Sequence, residues 1–149
     1  MSPEALFLPS MLLVGAAWLV LLLTKPSAQP LRRGALTTVI AFLGVLYAYF
    51  LFGFMDRAPA DGSFSSVAGL IALFSVPELM LAGWLHYLIL DFCAGYWIAK
   101  DASSHCSRLV IAPFLIATMV SAPVGLAIYL GLRNWLHQDT ADLSPIKPI

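Results

Sequence analysis

The chain is 149 residues long, 60% hydrophobic and only 11% charged, with a formal net charge of zero. A soluble domain of this length has no interior able to hide that much apolar surface, so the composition excludes an ordinary soluble globule. The balanced charge points to neither nucleic acid nor an acidic partner.

The apolar residues come in blocks about twenty long, enough to cross a hydrocarbon core roughly 30 Å thick at about 1.5 Å per residue. The fold expected is all-α: a four-transmembrane-helix bundle with a short interfacial helix between helices 2 and 3. The first ten residues carry Glu4 and no Lys or Arg, and no small-residue cleavage site precedes Thr24-Lys25-Pro26. Residues 5–23 therefore read as a retained membrane helix, with Pro9 in its first turns, and not as a signal peptide. A linker to Gly34 holds Lys25, Arg32 and Arg33. Helix 2 is expected over residues 35–55, ending at the polar stretch 56–62. Residues 64–74 are apolar but too short to span, and read as an interfacial segment.

Helix 3 opens at Pro77, a favourable first-turn residue, and runs over residues 77–100. Helix 4 is expected over residues 109–132, kinked by Pro123 near the Met119 carbonyl. A polar tail over residues 133–149, with two prolines, is expected to be loosely ordered. Ala117, Ser121 and Gly125 on helix 4, and Gly44 and Ala48 on helix 2, are small residues spaced by four where helices can approach closely. Lys25, Arg32, Arg33, Lys100 and Arg108 fall on one side of this topology, and Arg57, Arg133 and Lys147 on the other. The positive-inside rule then places both termini outside an inner (cytoplasmic) membrane. Cys93 and Cys106 read as a core thiol and a loop thiol that never pair.

The chemistry-bearing residues concentrate on helix 3, where His86 and Asp91 each lie within about 5 Å of the bilayer centre. An ionised Asp at that depth costs several kcal/mol unless it is paired, protonated or faces a wet cavity. Positions five apart diverge by about 140° on a helix, so the two do not share a narrow stripe. One stripe holds Glu78, Ala82, His86, Cys93 and Trp97, and the other Met80, Trp84, Tyr87 and Asp91. Neither suits lipid, so helix 3 is expected to be the most enclosed. Glu78, His86 and Asp91 are the candidate acid–base residues. Glu78 also reads as an N-terminal charge favoured by the helix dipole. Tyr47, Trp84, Tyr87 and Trp97 are candidates to line a pocket for a flat or polyene-like ligand, although aromatics in membrane helices also serve packing and anchoring. No His-x-x-x-His, Glu-x-x-His or Cys-x-x-Cys spacing occurs, so no metal site is expected, and the sequence specifies no cofactor. His105 and His137 read as surface histidines.

Beside this reading, the chain resembles the neoxanthin-synthase-like family, known from a plant protein named for abscisic-acid deficiency. The resemblance rests on Leu43-Gly44-Val45-Leu46-Tyr47, Pro77-Glu78-Leu79, Trp84-Leu85-His86 with Asp91 five residues on, Asp101, and Pro123-Val124-Gly125. It implies a plastid or bacterial membrane protein linked to converting an epoxy-carotenoid into its allenic isomer. Such an isomerisation would need a proton donor and an acceptor in a dry site. The chain lacks an evident transit peptide and has a short loop after helix 3, both of which look bacterial. The partners expected are membrane lipids and a hydrophobic small molecule such as a carotenoid or related isoprenoid. An accessory subunit of a larger membrane complex, a homo-oligomer, and a haem or quinone binder using His86 are the competing expectations.

Overall fold

The structure is a computed structural model that describes residues 2–25, 27–104 and 106–141, with side chains at 104, 135 and 137–141 outside the description. Among the described residues there are six α-helices and no strand: α1 Pro3–Leu23, α2 Gln29–Phe54, α3 Val67–Phe74, α4 Pro77–Asp101, α5 Arg108–Val120 and α6 Ala122–Ala141. α1, α2 and α4 are long and apolar enough to cross a membrane. They expose large apolar side chains such as Val45 and Phe52, at 69% and 78% of their surface, which water would penalise and acyl chains accept. The chain forms two compact units, Met1–Ala16 with Thr37–Leu90 and Ala17–Leu36 with Asp91–Ile149.

In the first unit, α3 begins where Ser66 adopts an extended conformation and its side chain accepts the Gly69 N–H at 3.0 Å. Gly69 is required there, because a Cβ would stand 2.8 Å from the Ser63 backbone N and O. At eight residues, α3 is about 12 Å long and cannot span. Its last residue, Phe74, lays its ring against Gly83 of α4. Leu43, Phe50, Leu79, Leu81, Ala82 and Leu85 are buried and form the unit's core.

In the second unit, α2 begins at Gln29, so Arg32 and Arg33 belong to its first two turns and not to a linker. Arg32 is only 3% exposed and donates to the carbonyls of Leu21 and Thr24 and to the Thr24 hydroxyl. Arg108 donates to the Leu23 carbonyl. Two guanidinium groups thus satisfy carbonyls that the end of α1 leaves without helical partners. Trp18 meets Phe92 edge-on at 5.5 Å, and a Cβ on Gly95 would overlap the Trp18 ring.

The segment expected to be a single kinked helix over residues 109–132 is two helices. Ser121 is extended (φ −157°, ψ 98°), and α5 and α6 fold back to pack side by side. Gly125 closes against the Thr118 backbone, and Phe114 meets Tyr129 at 5.6 Å. Pro123 falls in the first turn of α6, where its missing N–H costs nothing, and the chain reverses at Ser121 where a kink at Pro123 was expected. The small-residue ridge Ala117, Ser121 and Gly125 is interrupted at its middle member. Gly125 serves the α5–α6 approach itself. The helix then continues to Ala141, through the first part of the expected polar tail; residues 142–149 lie outside the described residues.

Candidate functional site

The first unit contains a groove of about 310 Å³ walled by α2, α3 and α4. Tyr47 and Leu51 come from α2, Leu73 and Phe74 from α3, and Leu79, Ala82, Gly83, His86, Tyr87 and Leu90 from α4, with Met55 and Phe64 from the connecting segment. Glycine at position 83 keeps that wall thin, so that the Phe74 ring lies across the helix. Its ionisable members are one imidazole and two phenols. The His86 ring lies 5.6 Å from that of Tyr47 and 6.4 Å from that of Tyr87. Neutral imidazole has one nitrogen to donate and one to accept, so a ligand oxygen arriving in this apolar groove meets a group able to move a proton either way.

Among the three long helices α4 shares the highest burial with α1. His86 and Tyr87 are exposed, because their polarity turns toward the groove and not into the packed face that carries Leu81 and Leu85. Glu78 is engaged elsewhere: its carboxylate accepts from Arg57 at 2.7 Å, and that guanidinium also sits 4.7 Å over the Phe54 ring. Trp84 faces a different hollow of about 520 Å³, lined by Pro3, Glu4, Phe7, Pro77, Met80 and Leu81, where it stacks on Phe7 and donates to the Met11 sulfur at 3.3 Å.

Asp91 and Trp97 belong to the second unit. α4 is an uninterrupted α-helix through this stretch, with no bulge to swing Asp91 onto the His86 stripe. Asp91 is half-buried, and among the described residues its carboxylate has no hydrogen-bond or ion-pair partner. Trp97 meets Tyr129 edge-on at 5.8 Å. Tyr129 is fully buried and donates its hydroxyl to Asp101 at 2.6 Å, and Arg133 holds the same carboxylate through two nitrogens at 2.7 and 2.8 Å. Cys106 donates to the Leu136 carbonyl at 3.9 Å. Burial, and behind it the Asp101 carboxylate, pushes the Cys106 thiol above its ordinary range.

Of the seven candidate residues, the groove therefore gathers Tyr47, His86 and Tyr87, and leaves Glu78, Trp84, Asp91 and Trp97 in other settings. Phe64 and Phe74 were not anticipated as lining, although the apolar run of residues 64–74 was the available signal. The Asp101–Tyr129–Arg133 network had no sequence signal once residues 109–132 were read as one kinked span. His105 lies outside the described residues, as does the side chain of His137. Among the described residues no group of three His, Cys, Asp or Glu side chains could hold a metal ion.

The family model described as ABA DEFICIENT 4-like matches residues 5–129, and the chain belongs to that family. No curated protein and no solved structure matches it.

Proposed function

From this membership in the ABA DEFICIENT 4-like family, we propose an integral membrane protein that binds a carotenoid or related isoprenoid in the Tyr47–His86–Tyr87 groove. The observation that carries the reading is the exposed His86 imidazole, with the Tyr47 and Tyr87 phenols, facing a mainly apolar groove on a helix long and apolar enough to cross a membrane. A polar side chain at such depth calls for a polar partner, and an oxygenated end of an isoprenoid supplies one while its hydrocarbon lies along Leu51, Leu73 and Leu79. If the ligand is isomerised, the donor and acceptor are to be sought among His86, Tyr47 and Tyr87. On that reading one group gives a proton to the oxygen and another takes one from a neighbouring carbon. Glu78, held by Arg57, and Asp91, in the other unit, are set aside as reacting groups.

Titrating purified protein with an oxygenated carotenoid tests this. His86→Ala is expected to weaken binding by about tenfold or more, the loss of one buried polar contact, while Trp84→Ala and Asp91→Asn leave it within about threefold. Equal binding by wild type and His86→Ala would refute the assignment.

Orientation follows from the ends of the helices. The loop after α1 and the start of α2 carry Lys25, Arg32 and Arg33, and the ends of α4 and α5 that meet the next loop carry Lys100 and Arg108. At the opposite ends of α2 and α4 stands Arg57. By the positive-inside rule the first set is cytoplasmic, and the N-terminus lies outside.

A further inference from the structure

Although a span of 24 residues was expected over 109–132, neither of its two helices is among those both long and apolar enough to cross: α6 has the length but turns polar at Arg133. α5 has 13 residues and is about 20 Å long, short of the roughly 30 Å hydrocarbon core. We infer that α5 and α6 form a re-entrant hairpin, which enters the bilayer from the side of the loops after α1 and α4, turns at Ser121 among acyl chains, and returns to that side.

Three features of the second unit carry this. The hairpin is polarised along its length. Its tip presents Met119, Val120 and Val124, exposed by 43%, 78% and 54%, whereas its feet hold Arg108 and Arg133. Both feet are tied to neighbouring helix ends: Arg108 donates to the Leu23 carbonyl at the end of α1, and Arg133 grips Asp101 at the end of α4. The turn also meets part of its own backbone demand. Ser121 donates its N–H to Ala117 at 2.8 Å, its carbonyl accepts from Gly125 at 2.9 Å, and Pro123 has no N–H to satisfy. Backbone left unpaired in hydrocarbon costs several kcal/mol per group, so each bond made within the reversal lowers the cost of placing it there. The partner of the tip is the acyl-chain layer, and the basic feet match the anionic headgroups above it.

The consequence is an odd number of crossings, with the end of α6 on the same side as the loop after α1 and opposite to the N-terminus. This stands apart from the ligand reading and is tested separately. In a chain with Cys93→Ala and Cys106→Ala, single cysteines are introduced as Ser27→Cys, Asp61→Cys, Val120→Cys and Asn134→Cys. Each is labelled with a membrane-impermeant maleimide in right-side-out and in inverted vesicles. Ser27→Cys and Asp61→Cys, labelling from opposite faces, certify that α2 is inserted. Asn134→Cys is expected to label from the Ser27 face, and Val120→Cys from neither face, reacting only once the membrane is dissolved in denaturing detergent. Labelling of Asn134→Cys from the Asp61 face would mean a complete crossing and overturn the inference. Labelling of Val120→Cys by the impermeant reagent would place the hairpin in water and overturn it equally.

Discussion

At the scale of single residues, glycines separate close approach from mere smallness. A Cβ at Gly125 would overlap Thr118 and one at Gly95 would overlap the Trp18 ring, while nothing lies within 4 Å of a Cβ at Gly44. Gly125→Ala and Gly95→Ala are each expected to destabilise the protein by about 1–3 kcal/mol through overpacking, and Gly44→Ala to change it by less than about 0.5 kcal/mol. Thermal unfolding in detergent checks the contrast, and equal shifts at all three would contradict the packing described. Cys106 supplies a pH test. Because burial and the Asp101 carboxylate disfavour its thiolate, its alkylation rate should keep rising beyond about pH 8.5, where an ordinary thiol begins to level off. Asp101→Asn should shift that profile to lower pH. A profile that levels off at the ordinary value in wild type would contradict the assignment.

At the scale of elements, the ion pairs differ in worth. Arg57–Glu78 is a single contact with Arg57 58% exposed, so Glu78→Gln should cost less than about 1 kcal/mol and leave ligand binding intact. Arg133–Asp101 is bidentate and shared with the Tyr129 hydroxyl, and a double-mutant cycle between Asp101→Asn and Arg133→Gln should show losses of thermal stability that do not add. A coupling near zero would mean that the latch at the hairpin foot holds nothing. The three long apolar helices and the too-short run before Pro77 were legible because length and hydropathy alone decide them. The reversal at Ser121 was not. Periodicity and apolar content run unbroken through it, and only the tertiary approach of Gly125 to Thr118 tells a reversal from a kink. Missing it also kept Arg133 apart from Asp101, which the structure joins. The candidate site was half legible: depth singled out His86, but depth also singled out Asp91. Which of the two faces a groove depends on α3, whose packing against Gly83 no pattern in the sequence announces.

For the whole molecule, membership in the ABA DEFICIENT 4-like family is joined to a groove whose ionisable residues are His86, Tyr47 and Tyr87. The spectrum of the protein taken gently from its native membrane, read together with mass analysis of the co-purifying lipid, tests that joining most directly. Wild type should carry about one polyene or other isoprenoid per chain, and His86→Ala should lose it while melting at nearly the wild-type temperature. A wild-type protein that purifies without any such molecule, or a His86→Ala variant that retains it undiminished, would contradict the account.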